Sequence, residues 1–263
     1  MNTQTTRRTA AAMMAGAAAL AIAGFTALGS IFQYPQILKE PTAEILHSYR
    51  QNQSAVIGWF LALVISAALL APVGVLLGRI AGGRLGRWTT GVGVTAATVQ
   101  VIGLSRWVLL IPGVSDDATQ PELAAGAYRA FEALHFWLGT VLGETIGYAL
   151  TATFTVLVVI ALTRGDLTAS TGRSTRWLGY LGYLSAALIA TGVVIPLGLT
   201  GASITNFIGY VAWCFWLIAT AVILWRPRVT HQGRLRQSAA DGILLPHGPD
   251  ISHRSTAVDR HEP

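Results

Sequence analysis

The stretch AVIGWFLALVISAALLAPVGVLL, residues 55–77, decides the fold, because none of its side chains is charged. At a helical rise of about 1.5 Å per residue it reaches about 34 Å, enough to cross a hydrocarbon core of about 30 Å. Backbone groups in lipid must pair within their own segment or close a barrel, and an unbroken apolar run lacks the alternation a barrel strand needs. Residues 10–32, 88–111, 136–162, 177–199 and 204–225 read the same way. The fold class expected is therefore all-α: a polytopic transmembrane helical bundle of six spans, preceded by a short segment 1–9 and followed by a basic tail 226–263.

Composition agrees. Of the 263 residues, 52% are hydrophobic and 11% charged, against about 25% charged in soluble domains. The net charge of +6 does not point to nucleic acid, because the basic residues sit in short clusters between apolar runs and not on one segment. A single lysine, Lys39, among 18 basic residues, with abundant alanine and glycine, suggests a bacterial genome rich in G and C. Cys214 is the single cysteine and lies in an apolar run, so neither a disulfide nor a cysteine metal site forms within one chain.

The arginines set an expected orientation. Arg7 and Arg8 precede the first span, Arg79, Arg84 and Arg87 join the second to the third, Arg164, Arg173 and Arg176 join the fourth to the fifth, and Arg226, Arg228, Arg234 and Arg236 follow the sixth. These connections alternate, which predicts cytoplasmic N- and C-termini. The opposite side carries Lys39, Arg50 and Arg129 beside six acidic residues. The run after Arg7 and Arg8 is longer than a signal-peptide core and is followed by no clear cleavage site, so an uncleaved first helix is expected. In the longest outer connection, 113–134, Leu123, Ala127, Phe131 and Leu134 share a helical stripe, predicting a short helix on the membrane surface before the fourth span turns inward. The tail after Arg236 has no apolar period and reads as disordered. The pattern G-R-x-x-R-W occurs at Gly83–Trp88 and again at Gly172–Trp177. Either a duplicated hairpin or the common use of Arg and Trp at inner interfaces explains it.

Charged side chains inside a span are expensive, so each is a functional hypothesis. Two qualify, Arg106 and Glu144. Counted from Trp88 and from Leu162, each lies about 18 residues, or about 27 Å, from the inner boundary, which predicts a pair at matching depth on antiparallel neighbours. Tyr148, one turn from Glu144, extends the network. Gln100 is six residues from Arg106, not a same-face spacing, and is expected to bond another helix. Two readings of the pair stay open: a site that exchanges a proton or holds a small ligand, and a clamp that keeps two helices in register. No broken helix near the midplane, such as transport sites usually show, is expected. Pro72 and Pro196 are expected to kink their spans, and Gly139, Gly143 and Gly147 permit close helix approach.

Histidines are too scattered for a haem or metal site: His47 and His135 stand alone and the other four lie in the tail. No cofactor is expected. No phosphate-cradling loop, nucleophile elbow or metalloprotease motif occurs, so no enzymatic chemistry is expected.

The segments Phe32-Gln33-Tyr34-Pro35-Gln36-Ile37-Leu38, Val99-Gln100-Val101-Ile102-Gly103-Leu104-Ser105-Arg106-Trp107 and Leu142-Gly143-Glu144-Thr145-Ile146-Gly147-Tyr148 together resemble bacterial six-helix membrane proteins grouped as domain of unknown function 4386. The resemblance covers roughly residues 10–225. It implies the six-helix bundle, draws attention to Arg106, Glu144 and Tyr148, and implies no activity. The expected partners are the lipid bilayer and either a small-molecule ligand or another membrane protein.

Overall fold

The computed structural model describes residues 3–167, 173–199 and 201–226, and all regular structure among them is helical. Six helical stretches are long and apolar enough to cross a membrane: Thr3–Phe32, Gln53–Ala81, Gly83–Asp117, Ala124–Thr163, Thr175–Leu197 and Ala202–Trp225. The expected tail after Arg236, and Gly172 of the second G-R-x-x-R-W copy, lie outside the described residues.

The first span is α1 (Thr3–Phe32). Beyond it a single 3-10 turn, Gln36–Lys39, leads to α2 (Thr42–Gln51), an element not foreseen in the sequence, and then α3 (Gln53–Ala81). Helix α3 continues without interruption across Pro72. Next come α4 (Gly83–Leu109) and α5 (Ile111–Asp117), the latter started by Pro112 in its first turn. There the proline's fixed φ suits the helix and its missing N–H is not needed. Helix α6 (Ala124–Leu134) carries the foreseen apolar stripe, burying Ala127 and Phe131. It does not lie apart on a membrane surface, however, but runs on without a break into the fourth span, so the expected inward turn is absent.

That fourth span holds the largest departure from expectation. Between α6 and α7 (Gly147–Thr163) the chain is a π-helix over His135–Ile146. Its wider turn shows in Thr145 Oγ1, which donates to the carbonyl of Thr140 five residues back at 3.1 Å. The fifth span is also irregular: α8 (Arg173–Ala190) passes into a 3-10 helix, Thr191–Leu197, that contains Pro196. The two irregular segments pack against each other. The expectation of regular spans is thus corrected. Hydropathy is blind to the change, because α, π and 3-10 turns bury the same side chains and differ only in backbone pairing. Helix α9 (Ala202–Trp225) completes the bundle.

Small residues and short polar bonds hold the helices together, as expected where lipid removes the hydrophobic drive between them. Helix α1 is built into the bundle against α3 and α9, and Ser66 Oγ donates to Ala17 O at 2.7 Å across the first contact. Trp213 Nε1 donates to Thr155 Oγ1 at 2.8 Å between α9 and α7. Helices α3 and α4 make the most extensive contact. At their turn Gly78 and Gly86 face each other so closely that a Cβ on Gly86 would strike the Gly78 carbonyl oxygen.

Beside the long core that runs between the helices, a second apolar core gathers at the end formed by the 33–54 and 110–134 connections. Its centre is Trp107, fully buried. Phe60 stacks on it at 4.9 Å, Phe32 and Phe131 meet it edge-on at 5.4 and 6.0 Å, and Tyr49 lies 6.0 Å away. Tyr49 Oη donates to the Trp107 carbonyl at 2.9 Å. Arg50 donates to Ser115 O at 2.9 Å and Thr42 to Glu132 at 3.1 Å, so α2 is tied to α5 and α6. Burial, reinforced by Asp116, pushes the Tyr49 phenol up to about 12.

Two outcomes are expected. Gly86→Ala should lower the thermal stability of the detergent-solubilised protein by about 1–3 kcal/mol, whereas Gly91→Ala, where a Cβ meets nothing within 4 Å, should not. Because the folded Tyr49 resists ionisation, its contribution is complete below pH 10, the ordinary phenol value, and is lost as pH rises toward about 12. Tyr49→Phe should lessen that alkaline loss in a pH series of unfolding midpoints; an unchanged slope would contradict the assignment.

Candidate functional site

The site lies where α4 crosses the π-helix. Three glycines of the fourth span meet three positions of α4 in antiparallel order. A Cβ on Gly139 would stand 2.9 Å from Arg106 Nη2, and one on Gly147 would stand 2.8 Å from Gln100 Nε2. Between them a Cβ on Gly103 would stand 3.0 Å from the Leu138 carbonyl oxygen and 3.4 Å from Gly143 Cα. Glycine is required here because the two backbones touch, and the guanidinium and the amide occupy the volume a side chain would take.

This register corrects the expected pairing. Since Gly139 faces Arg106 and Gly143 faces Gly103, Glu144 is level with the residues just before Gly103, about one turn, or about 5 Å, deeper than Arg106. Counting from the inner boundary equated the two depths because it assumed that both helices begin at the same level. No guanidinium–carboxylate contact within 4.0 Å joins Arg106 and Glu144 among the described residues.

Arg106 is 5% exposed. One guanidinium nitrogen donates to the Gly103 carbonyl in its own helix, and the group lies 5.3 Å from the centre of the Trp107 ring. Both contacts fix its plane. Among the described residues it makes no other hydrogen bond, which leaves most of its five donors unspent. Glu144 is half-buried, and no described residue donates to its carboxylate.

Tyr148 is held from behind: its ring packs against Gly192 of the 3-10 segment, where a Cβ would strike it, and meets Tyr210 edge-on at 5.4 Å. The 3-10 segment is anchored to α9 by Thr191 and Thr205, whose hydroxyls are 2.7 Å apart, and the end of α8 by Asn206 donating to Ile189 O at 2.8 Å. Gln100, as expected, bonds another helix: its Nε2 donates to Tyr210 Oη of α9 at 3.3 Å. It therefore supports the wall behind Tyr148 and does not join Arg106.

Two residues of the site were not singled out in the sequence. Gln33 adopts a left-handed backbone with φ 51°, uncommon without glycine, and turns the chain back so that Tyr34 sits over Phe60 at 5.3 Å and beside Trp107 at 6.5 Å. Its phenol is raised by burial, with Arg106 opposing and Glu144 reinforcing the shift, so its hydroxyl lies within electrostatic reach of both charges. Tyr148 is likewise an electrostatic neighbour of Glu144, Tyr34 and Arg106. His135 stacks on Phe131 at 5.9 Å and places Nδ1, buried and without a hydrogen bond, over Gly139 beside the guanidinium. The segment 32–38 had drawn attention as a motif, but only the turn at Gln33 shows where Tyr34 goes.

Arg106, Glu144, Tyr34 and Tyr148 are thus electrostatic neighbours, and among the described residues no two of them are hydrogen-bonded to each other. Nor do Glu144, Tyr34, Tyr148 or the remaining guanidinium nitrogens belong to the fully enclosed, unpartnered polar atoms. No group of three or more His, Cys, Asp or Glu side chains suited to a metal ion occurs among the described residues.

Gly139→Ala is expected to push the guanidinium off its seat and cost about 1–3 kcal/mol of stability, measured by thermal unfolding. Gly126→Ala, where a Cβ meets nothing within 4 Å, serves as control; equal effects of the two would refute the seating of Arg106 on Gly139.

A search of curated proteins and a search of solved structures each return no match. A family model matches residues 9–221, the whole crossing of α4 with the π-helix included, and on that match this multi-pass membrane protein belongs to the family described as domain of unknown function DUF4386.

Proposed function

We propose that the chain is a non-catalytic bacterial inner-membrane protein that binds, and in a transport cycle releases, a small ligand at the chamber formed by Arg106, Glu144, Tyr34 and Tyr148. The carrying observation is that these four groups converge without bonding to one another. A buried charge left unpaired costs several kcal/mol, a cost that a bound partner offsets. The clamp reading requires guanidinium and carboxylate in contact, and their separation weighs against it. The π segment that carries Glu144 supports the same view, since π turns inside helices occur frequently at functional sites.

The arginine distribution supports cytoplasmic termini, with Arg79, Arg84, Arg87 and Arg164 on the inner side and the chamber toward the outer side. The test uses the single native thiol. In a Cys214→Ser background, Glu144→Cys in intact cells should react with a small, charged, membrane-impermeant thiol reagent added from outside, whereas Ala97→Cys, at a position 1% exposed, should not. No reaction at either position would overturn the chamber reading, and reaction from the cytoplasmic side alone would overturn the orientation.

A further inference from the structure

Arg106 and Glu144 bring opposite charges to one crossing, about one turn apart along it, with no guanidinium–carboxylate contact within 4.0 Å between them. We infer that the ligand is a zwitterion, its carboxylate or phosphate on the Arg106 guanidinium and its ammonium on the Glu144 carboxylate. This rests on the reading of the chamber as a ligand site and names the chemistry of what enters it.

Charge balance carries the inference. A simple anion drawn to Arg106 would sit beside Glu144, and a simple cation drawn to Glu144 would sit beside Arg106. In each case a like charge is added in a region of reduced dielectric, where such repulsion is strong. A zwitterion brings one charge for each wall group and no net charge to desolvate. The geometry of the donors agrees. The Gly103 carbonyl and the Trp107 face hold the guanidinium plane, and its free nitrogens form the planar fork that pairs two oxygens of a carboxylate or phosphate. Glu144 takes no donor from the described residues and is acceptor-only when ionised, which suits an ammonium. The hydroxyls of Tyr34 and Tyr148 both donate and accept, so either end of the ligand finds a further partner. The ligand is compact: its charges are separated by a few bonds, to span about one turn between two long side chains.

The same chemistry occurs in a free amino acid and in an ethanolamine phosphodiester, the latter free or as the headgroup of a lipid. The experiment measures binding by calorimetry to the full chain in nanodiscs of phosphatidylglycerol, with β-alanine and the phosphodiester glycerophosphoethanolamine as zwitterions and propionate and ethylamine as single-charge halves. At least one zwitterion is expected to bind ten-fold or more tightly than either half. Glu144→Gln should weaken it about ten-fold while leaving propionate unweakened, and Arg106→Gln should weaken both. If neither free zwitterion binds but phosphatidylethanolamine added to the nanodisc raises the unfolding midpoint in a Glu144-dependent way, the zwitterion is a lipid headgroup. Propionate binding as tightly as the zwitterions, unaffected by Glu144→Gln, would overturn the zwitterion and leave an anion site, so that the ligand reading stands. No binding by any probe or lipid overturns the zwitterion, and the thiol-accessibility result then decides the ligand reading separately. Glu144→Asp, which keeps the charge, should restore part of the zwitterion affinity, an effect that loss of folding does not produce.

Discussion

Two backbones touch where Gly103 of α4 meets Leu138 and Gly143 of the fourth span, and the rest of the site depends on that contact. In lipid, close approach is gained by removing side chains, since packing and not water exclusion holds helices together. Once the crossing is fixed, each position along it is determined in turn: Arg106 must lie over Gly139 and Gln100 over Gly147. The widened π turn belongs to the same contact. It brings the Leu138 carbonyl to the crossing and places Glu144 a turn below Arg106, and the two groups make no contact within 4.0 Å.

Around this crossing one side is closed by a cluster of aromatic rings and the other by irregular helix. Trp107, adjacent to Arg106 in sequence, is enclosed by Phe60, Phe32, Tyr49 and Phe131, so the helix that presents the guanidinium is fastened one residue away. Helix α2, through Tyr49 and Arg50, closes that cap from above. On the other side, Tyr148 rests on a glycine of a 3-10 segment whose own attachment is a pair of threonine hydroxyls and an asparagine.

Much of the bundle is legible in the sequence because membrane crossing imposes a length and a composition that no other fold shares: the run 55–77 suffices for α3, and the five others follow by the same rule. The candidate site is legible in part. Arg106 and Glu144 stand out as charges within apolar runs, and Gln100 is read correctly as bonding elsewhere because its six-residue spacing is wrong for a shared face. What escapes is backbone detail. The π-helix at His135–Ile146 leaves no trace in hydropathy, so counting from the span ends cannot give the register of the crossing. Tyr34 escapes because its position depends on one residue, Gln33, taking a left-handed conformation that non-glycine residues seldom adopt.

The continuous helical stretch Ala124–Thr163 has 40 residues, which at about 1.5 Å each amounts to about 60 Å, twice the hydrocarbon thickness. One end must stand clear of the acyl chains, and with the arginines on the opposite face it is the aromatic cap that projects, like a turret, into the headgroup layer. Measured up from Thr163, Glu144 then falls about 28 Å along the helix, at the upper edge of the apolar slab. The crossing that carries it therefore lies nearer that end of the span than its middle.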